Sequence, residues 1–251
     1  MRSVLKNTLK NAIRSIGFDL SRYDANTRGQ CPYSDMKYFL GHLDSQTILD
    51  VGANVGQTIG KMRKIFPNSI IHSFEPSPKT YSQLSASCKG KSGVHVWNHG
   101  VGSSRGTLPF LENVASDMSS FLAPTELAWG EIRETTNVEV ITLDDFTKEK
   151  DIEYVHVLKS DTQGYDFEVF KGAERLIEEG KIGLIYFEFI FSRMYEHLPV
   201  FDEVFRFLTQ RGYSLVNMYD PHFQEDVLSW ADLLFVNTVS YKRKFEKVSA
   251  G

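Results

Sequence analysis

The run ILDVGANVGQTIG, Ile48 to Gly60, constrains this chain more than any other stretch. Ile48, Leu49 and Val51 read as a buried strand. The strand carries an acid at Asp50 and passes at once into a turn bracketed by Gly52 and Gly56. Glycine at both ends of so short a turn fits close backbone approach or positive φ. The polar-apolar pattern from Gln57 to Phe66 then continues as a helix, so its first amides face the loop and suit a carboxylate or another anionic ligand group. A dinucleotide loop would read G-x-G-x-x-G, with its second glycine admitting a pyrophosphate. Here that position is Asn54, and the pattern D-x-G-x-N-x-G disfavours pyrophosphate.

The next strand, SIIHSFEP, ends in Glu75, about 20 residues beyond the glycine turn, the offset of an acid that binds ribose hydroxyls. Read alone, Glu75 could cap a helix started by Pro76, Ser77 and Pro78. Read with the turn, it indicates a ribose held without a pyrophosphate, which points to S-adenosylmethionine.

Strand-like runs recur with helical stretches between them: TILDV, SIIHSFE, GVHVWN, YVHVLKSD, IGLIYFEFI, YSLVNM and ADLLFVN. Helices are expected over Lys79–Cys88, Asp166–Glu179 and Phe201–Arg211. This alternation predicts an α/β fold with a mostly parallel, Rossmann-like sheet covered by helices on both faces. The last two strands have no crossover helix between them, so they should close the sheet as an antiparallel edge hairpin. Between Gly102 and Asp145 only short pieces occur, LPFL, MSSFLAP and VEVITL, and an insertion of about 102–145 at the ligand end is expected.

At 251 residues, 41% hydrophobic, the chain is long enough for one ordinary catalytic domain, here placed over 31–240 with a tail at 241–251. Its net charge of -4 gives no reason to expect nucleic acid as a partner. Cys31 and Cys88 form neither a metal spacing nor a disulfide framework, and no run nears the ~20 apolar residues of a membrane span. A cytoplasmic location is expected. Residues 1–30 read as a separate unit. Arg2, Lys6, Lys10 and Arg14 recur every fourth residue beside Val4, Leu5, Leu9, Ile13 and Ile16, with no acid before Asp19. As a helix over 1–20 this would be basic and amphipathic, either docked on the domain or held at the inner face of a membrane or on a partner.

The chain resembles the FkbM family of S-adenosylmethionine-dependent methyltransferases. ILDVGANVGQT with SFEPSP carries part of the likeness. The more specific part is TLDDF, Thr142 to Phe146, followed by LKSDTQGYDFEVFKGA, Leu158 to Ala173, and LIYFEF, Leu184 to Phe189. Together they span Thr47 to Tyr219. Ser160 and Thr162 stand where the family favours apolar residues, and Asp166 stands where it favours Glu. The resemblance implies methyl transfer to an oxygen of a sugar, glycan or secondary metabolite. It implies that Gly52, Asn54 and Gly56 lie against the methionine portion, that Asp50 orients its ammonium, and that Glu75 holds the ribose. Asn98, Gly100 and Val101 would border the adenine.

Ligands of open α/β sheets sit at the carboxyl ends of strands. Asp161 ends YVHVLKSD, and Glu188 lies near the end of LIYFEF, so both should face the crevice as base or as oxygen ligands of a magnesium ion. A structural ion pair of Glu188 with Lys159 or Arg193 is the alternative. His95 and His99 read as structural, and His156, Tyr195 and His197 stay unassigned. Two other functions fit parts of the pattern: a nicotinamide oxidoreductase, and a non-catalytic scaffold recruited through its N-terminal helix. Oligomeric state is not legible.

Overall fold

In the computed structural model, the described residues are Ile13, Ser15 and 28–239. The basic segment over 1–20, apart from Ile13 and Ser15, and the tail over 241–251 lie outside them. The chain opens with α1 (Pro32–Leu40), β1 (Thr47–Val51), α2 (Gln57–Ile65), β2 (Ile70–Phe74), α3 (Pro78–Cys88) and β3 (Val94–Trp97). Then come β4 (Gly100–Val101), β5 (Gly106–Asn113), a 3-10 turn (Ser116–Met118), β6 (Ile132–Ile141) and α4 (Leu143–Glu149). The second half holds β7 (Val155–Ser160), α5 (Asp166–Lys171), α6 (Glu174–Glu178), β8 (Ile182–Ile190), α7 (Phe201–Gln210), β9 (Tyr213–Gln224) and β10 (Val227–Asn237).

Seven strands form the main sheet in the order β3-β2-β1-β7-β8-β10-β9, all parallel except β10, which runs against both of its neighbours. The expected fold class holds. Successive residues of the inner strands bury on opposite faces, as a sheet covered on both sides requires. Leu49, Leu158, Ile185 and Phe235 pack with Phe146, Phe170, Leu176 and Leu208. Ile48, Val157, Leu184 and Leu234 pack with Met36, Ile59, Met62 and Leu84.

Two elements differ from expectation. The helix expected over Asp166–Glu179 is two helices that break at Gly172 and Ala173. Gly172 abuts Gly102, whose carbonyl oxygen would lie 2.0 Å from a Cβ placed there. The second helix starts afresh because the Asp144 carboxylate accepts from the amides of Arg175 (2.9 Å) and Leu176 (3.1 Å). The edge hairpin is longer than read. It turns at Glu225 and Asp226, both at positive φ (47° and 65°), the geometry of a primed two-residue turn. The segment after β3 builds its own sheet, β4-β6-β5, beside the carboxyl ends of the main strands.

Candidate active site

The turn after β1 is set by contacts within the protein. Gly52 has φ +73°, and a Cβ there would lie 1.9 Å from the carbonyl oxygen of Asp161, so only glycine lets the ends of β1 and β7 come this close. Asn54 follows at φ 47° and donates its amide to Glu75 Oε2 (2.9 Å). Gly56, at φ +95°, caps α2, and a Cβ there would point at Leu84 of α3, 3.0 Å from its Cδ1. Gly56, expected beside the ligand, serves the helix start and is not among the residues that line the cleft.

Glu75 is 6% exposed, and its second oxygen accepts from the amide of Ser77 (3.0 Å). Burial pushes its carboxyl up to about 7, against the pull of the Ser77 and Asn54 amides and of Lys159. The two amides fix the carboxylate at the edge of a cleft that opens between β1, β2, β4 and β7. Gly52, Asn54, Glu75, Gly100, Val101 and Asp161 all line it. Asn98 does not: its side-chain amide donates to the carbonyls of Glu75 (2.9 Å) and Pro76 (3.0 Å) and pins the loop that carries the acid. The far wall comes from residues that sequence reasoning missed, Phe110 and Phe121, whose rings meet edge to face at 4.9 Å. Phe121 lies so close to Gly100 that a Cβ there would be 2.5 Å from its ring. Pro76, Val101 and Phe121 give this part of the cleft an apolar lining.

Asp50 sits below this cleft. It is fully buried, and the sheet register sets it between Ser73 of β2 and Lys159 of β7. Ser73 donates to its Oδ2 (3.1 Å), and Lys159 Nζ lies 3.5 Å from its Oδ1. Asp50, expected to orient the ligand's ammonium, supports Lys159 with its carboxylate in this structure. Lys159 in turn donates to the carbonyl of Gly52 (3.2 Å) and lies 3.5 Å from Asp161 Oδ2. Burial opposes the charge on Lys159, but the carboxylates of Asp161, Asp50 and Asp166 outweigh it and raise the ammonium above its ordinary range. One buried cation thus ties the glycine turn to the end of β7.

Asp161 and Glu188 do come together, joined by a residue the sequence did not flag. Gln163, at φ 52°, donates from Nε2 to Glu188 Oε1 (3.0 Å) and, more weakly, to Asp161 Oδ1 (3.4 Å). Its Oε1 accepts from the Tyr195 hydroxyl (3.0 Å), which turns the amide nitrogen toward the two carboxyl groups. Burial, then the charges of Asp161, Asp232 and Asp166, push the Glu188 carboxyl far above the ordinary range. Lys159 and Arg193 form no ion pair with it among the described residues. Two departures from the family pattern prove to be partners, since the Ser160 hydroxyl donates to the buried Asp166 carboxylate. A short acid suffices there because a serine reaches it.

Of the histidines, His95 stacks on His72 at 4.9 Å, and His156 Nδ1 accepts from the amide of Thr47 (2.9 Å), both structural roles. His99 borders the cleft. Among the described residues no three His, Cys, Asp or Glu side chains converge as a metal site. A second cleft, of about 1010 Å³, adjoins the first and shares Asp117, Asp161 and Gln163 with it. Trp129, His222 and Trp230 form its outer wall, again unforeseen.

A seven-stranded sheet of this order, with a buried acid after β2 and no pyrophosphate loop after β1, defines the class I S-adenosylmethionine-dependent methyltransferase domain. The methyltransferase FkbM domain matches residues 50–215, more than half of the chain, and the chain belongs to that family. The nicotinamide oxidoreductase reading falls with this assignment.

Among curated proteins the chain is similar to methyltransferase sdnD of Sordaria araneosa, 29% identical over 171 residues that cover 57% of this chain and 66% of that protein. It is also similar to methyltransferase 1 of Beauveria bassiana, 27% identical over 52% of this chain and 59% of that protein. Both matches span slightly less than two thirds of the relatives' lengths. Among solved structures, an rRNA methylase from Streptococcus thermophilus aligns with a TM-score of 0.48 at 11% identity, covering 83% of this chain and 97% of that one.

Proposed function

We propose that this protein transfers a methyl group from S-adenosylmethionine to a hydroxyl of a sugar, glycan or secondary metabolite. The observation that carries this reading is the meeting of the two clefts at Asp161 and Gln163. A nucleoside held by Glu75 and the Phe121 wall fills one, and an acceptor entering past Trp129 fills the other. S-adenosylmethionine, when bound, supplies a methyl already activated by its sulfonium. What remains for the chain is to align the acceptor oxygen and take its proton.

The two carboxyl groups divide that work because their surroundings differ. Asp161 is open to both clefts and has Lys159 as countercharge, so it serves as the base that takes the hydroxyl proton. Glu188 is buried among carboxylates and holds its proton, so it donates a hydrogen bond to the acceptor and orients it. Gln163 keeps the two apart. If magnesium takes part, Asp161 and Glu188 are the oxygen ligands that would hold it.

Loss of labelled-methyl transfer in Asp161→Asn and Glu188→Gln, on the order of 10²-fold with calorimetric S-adenosylmethionine affinity kept, is the expected result. Wild-type turnover in both variants would reject these roles, and loss of activity in chelator restored by magnesium would assign them to a metal. We further place the enzyme in the cytoplasm, with the basic segment over residues 1–20 held at the inner face of the membrane. Among the described residues no helix is long and apolar enough to cross one. Support comes from four basic residues at four-residue spacing, each worth about 1 kcal/mol beside anionic lipid. Equal sedimentation with anionic vesicles of the full chain and of a chain starting at Ser21 would remove that placement.

A further inference from the structure

The walls of the second cleft carry information about the acceptor that methyl-transfer chemistry does not. Trp129 and Trp230 meet edge to face with ring centres 5.2 Å apart, and His222 stacks on Trp230 at 4.8 Å. Trp129 is half exposed, so an indole surface is left for a guest. Such π-faces attract a cation laid against them, more strongly as water is excluded. The carboxylates of the lining are Asp117 and Asp161, beside the Glu188 carboxyl, and no Lys or Arg lines the cleft among the described residues.

The nearest cation, Lys159, is held beneath the floor by Asp50, Asp161 and the Gly52 carbonyl. Glu188 meets only a neutral amide, with Asp232 opposite it on β10. The acceptor side of the site thus offers aromatic faces and carboxyl groups but, among the described residues, no Lys or Arg of its own. A phosphate, sulfate or uronate placed there would face like charge without a partner. An ammonium would find both a π-surface and carboxylates.

Building on the methyl-transfer reading, we propose that the Trp129–Trp230 wall and Asp117 form a subsite for a protonated amine. The acceptor is then an amine-bearing hydroxylated ring, such as an amino sugar, and anionic acceptors are rejected. Trp230 and Trp129 act as specificity-determining residues.

The test is a calorimetric titration of the full chain saturated with S-adenosylhomocysteine, using a β-1,4-glucosamine tetramer and its fully N-acetylated form at pH 6.5. The deacetylated tetramer should bind at least tenfold more tightly, and Trp230→Leu should erase that preference without altering S-adenosylhomocysteine affinity. Equal or tighter binding of the acetylated form, or no binding of the amine form, would overturn the subsite.

A parallel arm separates this proposal from the reading on which it rests. Extracted metabolites are incubated with the protein and methyl-labelled S-adenosylmethionine, and the products are split by charge. Label retained on a cation exchanger supports the amine. Label confined to neutral or acidic products overturns the amine and leaves methyl transfer standing. No label in any fraction counts against methyl transfer, while the titration still decides the subsite.

Discussion

Replacing Glu75 by Gln should change stability and cofactor affinity together, with a pH dependence that follows from the burial of this carboxyl. The folded protein raises the Glu75 pKa from 4.5 to about 7, mainly by desolvation. A carboxyl raised in this way favours folding fully below 4.5 and loses that contribution as pH climbs through 7. Between pH 5 and 8 the wild type should therefore lose about 2.5 kcal/mol that Glu75→Gln does not, at 1.36 kcal/mol per unit of difference between the two states. The variant starts lower. Both Glu75 oxygens accept backbone amides, from Asn54 and Ser77, so a side-chain NH₂ must face one of them at a cost of about 1–3 kcal/mol. Urea unfolding at pH 5 and pH 8 measures both effects, and the lead of the wild type at pH 5 should fall by about 2.5 kcal/mol at pH 8, closing or reversing. Binding gives a second reading. Ribose hydroxyls donate to the carboxylate and favour its charged form, so S-adenosylmethionine binding should tighten from pH 5 to 7 and release a proton. In the variant, a lost charge-assisted hydrogen bond of about 1.5–3 kcal/mol weakens affinity by about 10- to 150-fold. Parallel unfolding curves at both pH values, together with affinity within twofold of wild type, would refute the assignment of Glu75 as a buried ribose ligand.

The strands of the main sheet were legible because each is an apolar run bounded by turn residues. IGLIYFEFI, for instance, is β8 to the residue. The acids at the strand ends were legible for a related reason, since parallel pairing brings carboxyl ends into one row whatever their distance in sequence. Depth within that row was not. Asp50 and Asp161 look alike as acids closing apolar strands, yet Asp50 sits inside β1, in register with Lys159, while Asp161 lies one residue past β7. Only pairing tells a buried carboxylate that supports a lysine from an open one that lines the clefts.

The 102–145 segment hid its structure because β6, reading IRETTNVEVI, is exposed along most of its length and has no apolar run to report it. The cleft walls were lost with it, since Phe121 and Trp129 come from the connection between β5 and β6. The edge turn was hidden too. Glu225 and Asp226 adopt positive φ with neither glycine nor asparagine, the residues that normally advertise such a turn.

Further outcomes follow from the same geometry. Gly56→Ala should cost about 1–2 kcal/mol in thermal unfolding, because its φ of +95° is strained for any residue with a Cβ, yet leave S-adenosylmethionine affinity within about threefold, since that Cβ points at Leu84. Asp144→Ala should cost about 1–2 kcal/mol by uncapping the amides of Arg175 and Leu176, with hydrogen exchange rising first in α6. The last concerns Gln163→Leu, which keeps volume near the site but removes the one donor shared by Asp161 and Glu188. The two carboxyl groups then face each other across an apolar side chain, and the Tyr195 hydroxyl keeps only the Met118 carbonyl, 3.2 Å away, as partner. Glu188 should hold its proton still more firmly and lose its fixed direction. Turnover should fall about 10- to 100-fold while S-adenosylmethionine affinity stays close to wild type, because Glu75 and the Phe121 wall are untouched. Wild-type kcat in this variant would mean that Asp161 and Glu188 act independently, and the division of labour between them would have to be abandoned.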